Sequence, residues 1–288
     1  MKIVVTGANG QLGKEIQAFQ NSYPKAQIHF FTKEDLNIAD LENVKLIFNQ
    51  LHPDYCINCA AYTAVDKAET ERETAFLINE TGTKNLALVS SQFGTKFIHI
   101  STDYVFDGNG SDPYKEEHPV DPQNIYGLSK LRGEEGALAV NTESIIIRTA
   151  WVYSEYGNNF VKTMLRLLQS KEEISVVADQ LGSPTYAADL AKAILSIIDS
   201  GKWVPGIYHY SNDGIISWFE FANAIQQYIQ SKCRVNAIPT SAFPTPAKRP
   251  AYSVLNKEKI KTTFGLTIPD WETSLHHCLD RLKEVGAW

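Results

Sequence analysis

No run of this 288-residue chain approaches the roughly 20 apolar residues that a bilayer-spanning helix needs. Basic residues are not in excess: 27 Lys and Arg stand against 33 Asp and Glu, a formal net charge of −6, so the chain carries no footprint for nucleic acid or an anionic membrane. Internal repeats and low-complexity segments are absent, and Met-Lys-Ile-Val-Val-Thr-Gly runs straight into a glycine turn without a signal-peptide pattern. The expectation is a cytoplasmic protein. Cysteines are few, four in all. Cys56 and Cys59 form a C-x-x-C, but an offset of three along a strand sends the two side chains to opposite faces. They can neither bridge nor chelate together, and free buried thiols are expected. The adjacent His276 and His277 point in different directions on a helix. No structural metal is predicted.

What is present is alternation. Short apolar runs at 2–6, 28–31, 55–59, 96–101 and 144–148 read as strands. Between them, stretches with helical spacing cover 11–21, 40–51, about 76–94 and about 124–140. Strands that alternate with helices at this interval imply right-handed crossovers and an α/β fold, a doubly wound parallel sheet of Rossmann type. After Trp151 the pattern loosens, with helices at 159–170, 186–200, 217–231 and 270–285, strands at 174–177 and 207–210, and an extended proline-rich stretch from Pro239 to Pro250. Residues 1–150 therefore read as a dinucleotide-binding domain, to which 174–200 returns. Residues 151–288 read mainly as a smaller substrate-binding lobe.

Gly7-Ala8-Asn9-Gly10-Gln11-Leu12-Gly13 joins the first strand to the first helix. Glycines let the backbone turn tightly and approach a pyrophosphate, while the helix start offers free N–H groups and partial positive charge. A loose glycine pattern is weak alone, but in this position the dinucleotide reading is favoured. An acid at the end of the second strand would bind the ribose 2′-OH of NAD. Thr32 and Lys33 stand there instead. Lys33 offers a counter-charge to a 2′-phosphate, so NADPH is expected and NADH is the alternative; a solvated surface lysine is the competing reading. Asp35 and Leu36 are placed by the adenine, and Ala60, Ala61 and Tyr62 along the ribose side.

Tyr126 and Lys130, four residues apart on one helix, share a face. A free phenol titrates at about 10, and a nearby cation favours its phenolate, so Lys130 is expected to draw Tyr126 toward the working pH. Thr102 ends a strand, where open α/β sheets bind their ligands, and its hydroxyl can bond a substrate carbonyl.

Six segments carry a resemblance. They are Asn58 to Glu69, Thr102-Asp103-Tyr104-Val105-Phe106-Asp107-Gly108, Tyr126 to Lys130, Arg148 to Tyr153, Gly157 to Phe160, and Arg249 to Leu255. In this order the chain resembles the dTDP-4-dehydrorhamnose reductase family, extended short-chain dehydrogenases/reductases whose glycine turn has the same G-x-x-G-x-x-G spacing. The resemblance implies NAD(P)H-dependent reduction of the C4 keto group of dTDP-4-dehydro-β-L-rhamnose, the last step of dTDP-L-rhamnose synthesis. It implies that Tyr126 protonates O4, that Lys130 holds the nicotinamide ribose and that Thr102 orients the carbonyl. Thr102, Asp103 and Trp151 match substrate contacts; Gly10, Gln11, Leu12, Asp35, Leu36, Ala60, Ala61 and Tyr62 match cofactor contacts. Arg249 is a candidate counter-charge for the substrate pyrophosphate, with a surface loop residue as the other reading. Some members dimerise through magnesium held by glutamates, one matching Glu15. Here Asp189 lies near the second position, Glu15 itself reads as a solvated carboxylate, and a homodimer stays open. Two rivals remain: an epimerase or dehydratase on the same scaffold, and a non-catalytic subunit like the regulatory subunit of a eukaryotic methionine adenosyltransferase. Elimination commonly needs Asp-Glu after the threonine, and Asp103 is followed by Tyr104.

Overall fold

The apolar runs become a six-stranded, wholly parallel sheet in the computed structural model, which describes residues 1–286 and 288. In chain order the first half is β1 (Lys2–Thr6), α1 (Gln11–Phe19), β2 (Gln27–Phe31), α2 (Leu41–Leu51), β3 (Tyr55–Asn58), α3 (Val65–Ala68), α4 (Arg72–Phe76), α5 (Thr83–Phe93), β4 (Lys96–Thr102), α6 (Ile125–Val140) and β5 (Ile145–Thr149). The second half is β6 (Val152–Tyr153), α7 (Phe160–Ser170), β7 (Glu173–Val177), β8 (Leu181–Gly182), β9 (Thr185–Tyr186), α8 (Ala187–Asp199), β10 (Gly206–His209), β11 (Ile216–Ser217), α9 (Trp218–Tyr228), β12 (Arg234–Ile238), α10 (Glu258–Phe264) and α11 (Trp271–Glu284). The sheet order is β10-β5-β4-β3-β1-β2. Winding reverses between β1 and β3, which opens a crevice at the carboxyl ends of those strands.

Alternation along the strands sorts the core into two layers. Ile3, Val5, Ile57, Ile98, Ile145 and Ile147 face α1 and α8 through Leu12, Ile16, Leu190 and Ile194. Val4, Cys56, Phe97 and Ile146 face α2, α5 and α6 through Val44, Phe48, Leu86, Val89 and Ala137. Cys56 belongs to one layer and Cys59 packs against the other, as the offset of three requires. Among the described residues all four cysteines are free thiols.

The second half re-enters the first twice. Helix α8 covers the sheet beside α1, and β10 adds an edge strand next to β5. Strand β7, by contrast, pairs with β12 away from the sheet, under α7, α9 and α11. β12 is five residues long but mostly exposed, with too few apolar positions in Arg-Val-Asn-Ala-Ile to stand out, and the two-residue strands are too short for periodicity to reveal them. The stretch read as one helix over 76–94 is interrupted: Leu77–Gly82 is a π-helical turn between α4 and α5. Such turns are frequent at functional sites. This one aims Asn79, whose side chain accepts the Tyr62 N–H at 2.8 Å and donates to Ser129 Oγ at 2.9 Å, tying the loop after β3 to α6. No helix among the described residues is long and apolar enough to cross a membrane.

Candidate active site

The glycine turn folds as it does because two loops meet at the sheet's reversal point. Gly7 has φ +68°, and a Cβ there would lie 2.6 Å from the Ala60 nitrogen. At Gly13 a Cβ would lie 2.5 Å from the Gly7 carbonyl oxygen, so α1 starts as close to β1 as backbone allows. The helix N-cap, Gly10, has no side chain to occupy the first-turn N–H groups, which therefore face the crevice. A bare backbone cradle of this kind fits a dinucleotide pyrophosphate. It opens into a cleft of about 590 Å³. Gly7, Gly10, Gln11, Leu12, Gly13, Lys33, Leu36, Ala60, Ala61, Tyr126 and Lys130 all line it.

Asp35 and Tyr62 do not. The Asp35 carboxylate accepts the Thr32 N–H at 3.1 Å and hydroxyl at 2.7 Å, closing the turn after β2. The Tyr62 hydroxyl donates to Glu71 at 2.9 Å, away from the cleft. Counting residues along the chain cannot foresee such local partners. Thr32, Asn37, Thr63, Val152 and Asn158 line the cleft instead.

Thr102, at the end of β4, donates its hydroxyl to Asp103 Oδ1 at 2.9 Å and accepts the Tyr104 N–H at 3.3 Å. Asn124 caps α6 by accepting the Gly127 N–H at 2.8 Å, which sets Tyr126 in the first turn and Lys130 one turn on. The Tyr104 ring meets Tyr126 edge-on at 5.5 Å. Burial pushes the Tyr126 phenol up to about 12, with the Thr102 hydroxyl working against the rise and Asp103 adding to it. This corrects the expectation that Lys130 draws the phenol down. Lys130 is turned elsewhere: Nζ donates to the Ile100 carbonyl at 2.6 Å and lies 3.2 Å from His99 Nε2. Burial brings Lys130 itself down to about 8, against the pull of Glu134 and Cys59.

Around this group stand the other candidates. Asp103 is 3% exposed, and burial pushes it up to about 7, while bonds from Thr102 and Ser253 work against that rise. Trp151 has φ +48°, a left-handed conformation uncommon for a bulky residue, and its ring stacks on Trp218 at 3.5 Å. Arg249 donates to Asp66 Oδ2 at 2.8 Å and borders a small recess with Tyr104 and Asn124. It is half-buried, not a free surface residue.

Residues 1–284 match the family model described as the RmlD substrate binding domain. The chain belongs to that family. It is 44% identical to the spore coat polysaccharide biosynthesis protein SpsK of Bacillus subtilis, over 96% of each chain. It is 40% identical to the dTDP-4-dehydrorhamnose reductase of Aggregatibacter actinomycetemcomitans, over 95% of this chain and 97% of that one. Among solved structures, dTDP-4-dehydrorhamnose reductase from Bacillus anthracis in complex with NADP superposes with a TM-score of 0.93 at 44% identity, covering 97% of this chain and 99% of the other.

One reading offered for this family member is overturned. Glu15 is not solvated: it is 0% exposed, and its Oε1 accepts the Ser154 hydroxyl at 2.7 Å. Burial pushes it up to about 8, and the neighbouring Glu155 carboxylate adds to the rise while Arg281 opposes it. Glu15 lies on the flank of the apolar stripe of α1, three residues after Leu12 and four before Phe19; the segment carrying Ser154 and Glu155 and the far helix α11 close over it. Sequence reasoning also passed over Asn58 and His99, which underlie Lys130. Their signal was there: each is a polar residue inside a run that is otherwise apolar, and both are completely buried.

Proposed function

We infer that this chain reduces the C4 keto group of dTDP-4-dehydro-β-L-rhamnose to give dTDP-L-rhamnose, with NADPH as the reductant and NADH as the alternative. One observation carries the reading: Tyr126 and Lys130 line a glycine-cradled cleft, with the Thr102 side chain beside Tyr126, in a chain of this family. The reduced nicotinamide, when bound, supplies the hydride that C4 receives. Every other requirement falls to side chains. Tyr126 gives its proton to O4 as negative charge develops there, and a phenol held up to about 12 stays protonated and ready to act as an acid. Thr102 bonds the same oxygen and fixes the face of the carbonyl. Lys130 reaches the ribose, Asp103 and Trp151 hold the sugar, and Arg249 answers the pyrophosphate charge. Tyr104 follows Asp103 where elimination would need a second carboxylate, which weighs against a dehydratase. Nucleotide sugars and NADPH both belong to the cytoplasm, where we place the reaction. The test is steady oxidation of NADPH on addition of dTDP-4-dehydro-β-L-rhamnose, with dTDP-L-rhamnose as product. A protein that binds NADPH but leaves that substrate unreduced refutes the assignment.

The cofactor preference has its own test. Lys33 is exposed at the cleft wall, so its pairing with a 2′-phosphate is worth at most about 1 kcal/mol, about fivefold in KM. Lys33→Ala should raise the KM for NADPH by that factor, leave NADH unchanged, and lose its effect at high salt. Equal changes with both cofactors would remove Lys33 from the phosphate site.

A further inference from the structure

The neighbours of Lys130 do not suit a permanent ammonium. Asn58, the last residue of β3, is oriented by the backbone: its Oδ1 accepts the Ala60 N–H at 3.1 Å and the Thr6 hydroxyl at 2.7 Å. The other side-chain atom is therefore the amide nitrogen, which has only protons to offer. It lies 3.0 Å from His99 Nδ1. That ring nitrogen must accept, and a neutral imidazole then carries its proton on Nε2. Burial first, and then the Lys130 charge, hold His99 well below the ordinary imidazole range, so the ring is neutral. Nε2 faces Lys130 Nζ at 3.2 Å, and Nζ also meets the Ile100 carbonyl, which only accepts. An ammonium here sets N–H against N–H. A neutral amine satisfies both neighbours, donating to Ile100 and accepting the Nε2–H on its lone pair.

We propose that Asn58 and His99 are a positioning pair that favours the neutral amine of Lys130, the amide fixing one imidazole tautomer and the imidazole aiming its N–H at the lone pair. The remaining titratable groups that act on Lys130 are Cys59, just after β3, and Glu134 on its own helix. Cys59 is held as a thiol by burial, which pushes it up to about 12. Glu134 pulls toward the ammonium, but its carboxylate is already bound by Arg148 of β5 at 2.7 Å. The pair therefore adds to burial, and both act against Glu134. The sign follows: with the imidazole N–H removed, Lys130 holds its proton to higher pH.

The consequence for turnover rests on the reductase reading, so the decisive measurement avoids turnover. Protein without cofactor or substrate, labelled with 15N in its seven histidines and 13C at the lysine ε carbons, is titrated by NMR. His99 and Lys130 signals are assigned by their loss in His99→Phe and Lys130→Arg. In the wild type, His99 should be protonated on Nε2 and not on Nδ1. His99→Phe removes the N–H, and Asn58→Asp turns a donor into an acceptor that moves the ring proton to Nδ1. Each should raise the Lys130 midpoint by about one pH unit, a tenfold gain in proton affinity. The aspartate also adds charge, so His99→Phe is its control. If turnover needs the ammonium, the fall of kcat/KM at high pH moves up by the same amount. A wild-type His99 protonated on Nδ1 overturns the proposal, and so does a Lys130 midpoint unmoved in His99→Phe. The wild-type tautomer needs no variant to fold. An inactive protein with the expected tautomer refutes only the reductase assignment.

Discussion

Tyr126→Phe is expected to lower kcat by about 10²–10⁴ while the dissociation constant for NADPH stays within twofold or so of wild type. The substitution removes one oxygen and leaves the ring, its edge-on contact with Tyr104 and the α6 backbone in place. The lost group is the proton donor, so the deficit should lie in kcat, an interaction made only as O4 gains charge. The reduction consumes a proton, and a donor pushed up by burial stays protonated throughout the working range. Loss of phenol ionisation should therefore leave no trace in the pH profile below about pH 9. Steady-state rates together with cofactor fluorescence titration measure both halves of the expectation. A variant with wild-type kcat would mean that O4 takes its proton from elsewhere.

Glu134→Ala is expected to destabilise the fold by about 3–5 kcal/mol, the cost of leaving a buried charge without its partner. Arg148 donates to Glu134 from Nε at 2.9 Å and Nη2 at 2.7 Å, and the two side chains are only 3% and 2% exposed. The guanidinium also lies 5.1 Å over the Phe106 ring, so it cannot swing out to water without breaking the loop that carries Asp103. Replacing both partners, Glu134→Met with Arg148→Met, should recover most of the loss, because no charge is then stranded. Urea unfolding of the two variants decides the matter. A loss below about 1 kcal/mol in the single variant would show that water or another side chain reaches Arg148.

Much of the framework was legible in the chain. β1, the glycine turn and α1 follow from an apolar run, residues that tolerate close backbone approach, and helical spacing, all within twenty positions. Asn124 announces the start of α6, and with it the shared face of Tyr126 and Lys130. Cys56 and Cys59 fall on opposite sides of the sheet because strand period alone dictates it. These features depend on short-range geometry, which sequence specifies directly.

Other features depend on which distant segments meet. β10 shows no mark of joining β5, since edge pairing is a choice among strands and not a property of one. Glu15 reads as solvated only because it is a carboxylate, although its spacing from Leu12 and Phe19 sets it beside the apolar stripe; the segment carrying Ser154 and Glu155, together with Arg281 of α11, closes over it and makes burial dominate its charge. Asp35 closes the turn after β2 by accepting from Thr32, and Tyr62 donates to Glu71, partners that spacing does not foretell. The Tyr126–Lys130 pair is the sharpest case. The sequence by itself determined that the two side chains share a helix face, but whether one tunes the other was decided by the sheet beneath. There Ile100 and His99 take hold of Nζ, and burial outweighs the attraction between neighbours on the helix. Spacing sets which groups are near; the dielectric and the competing hydrogen-bond partners, which set what nearness does, exist only once the chain is folded.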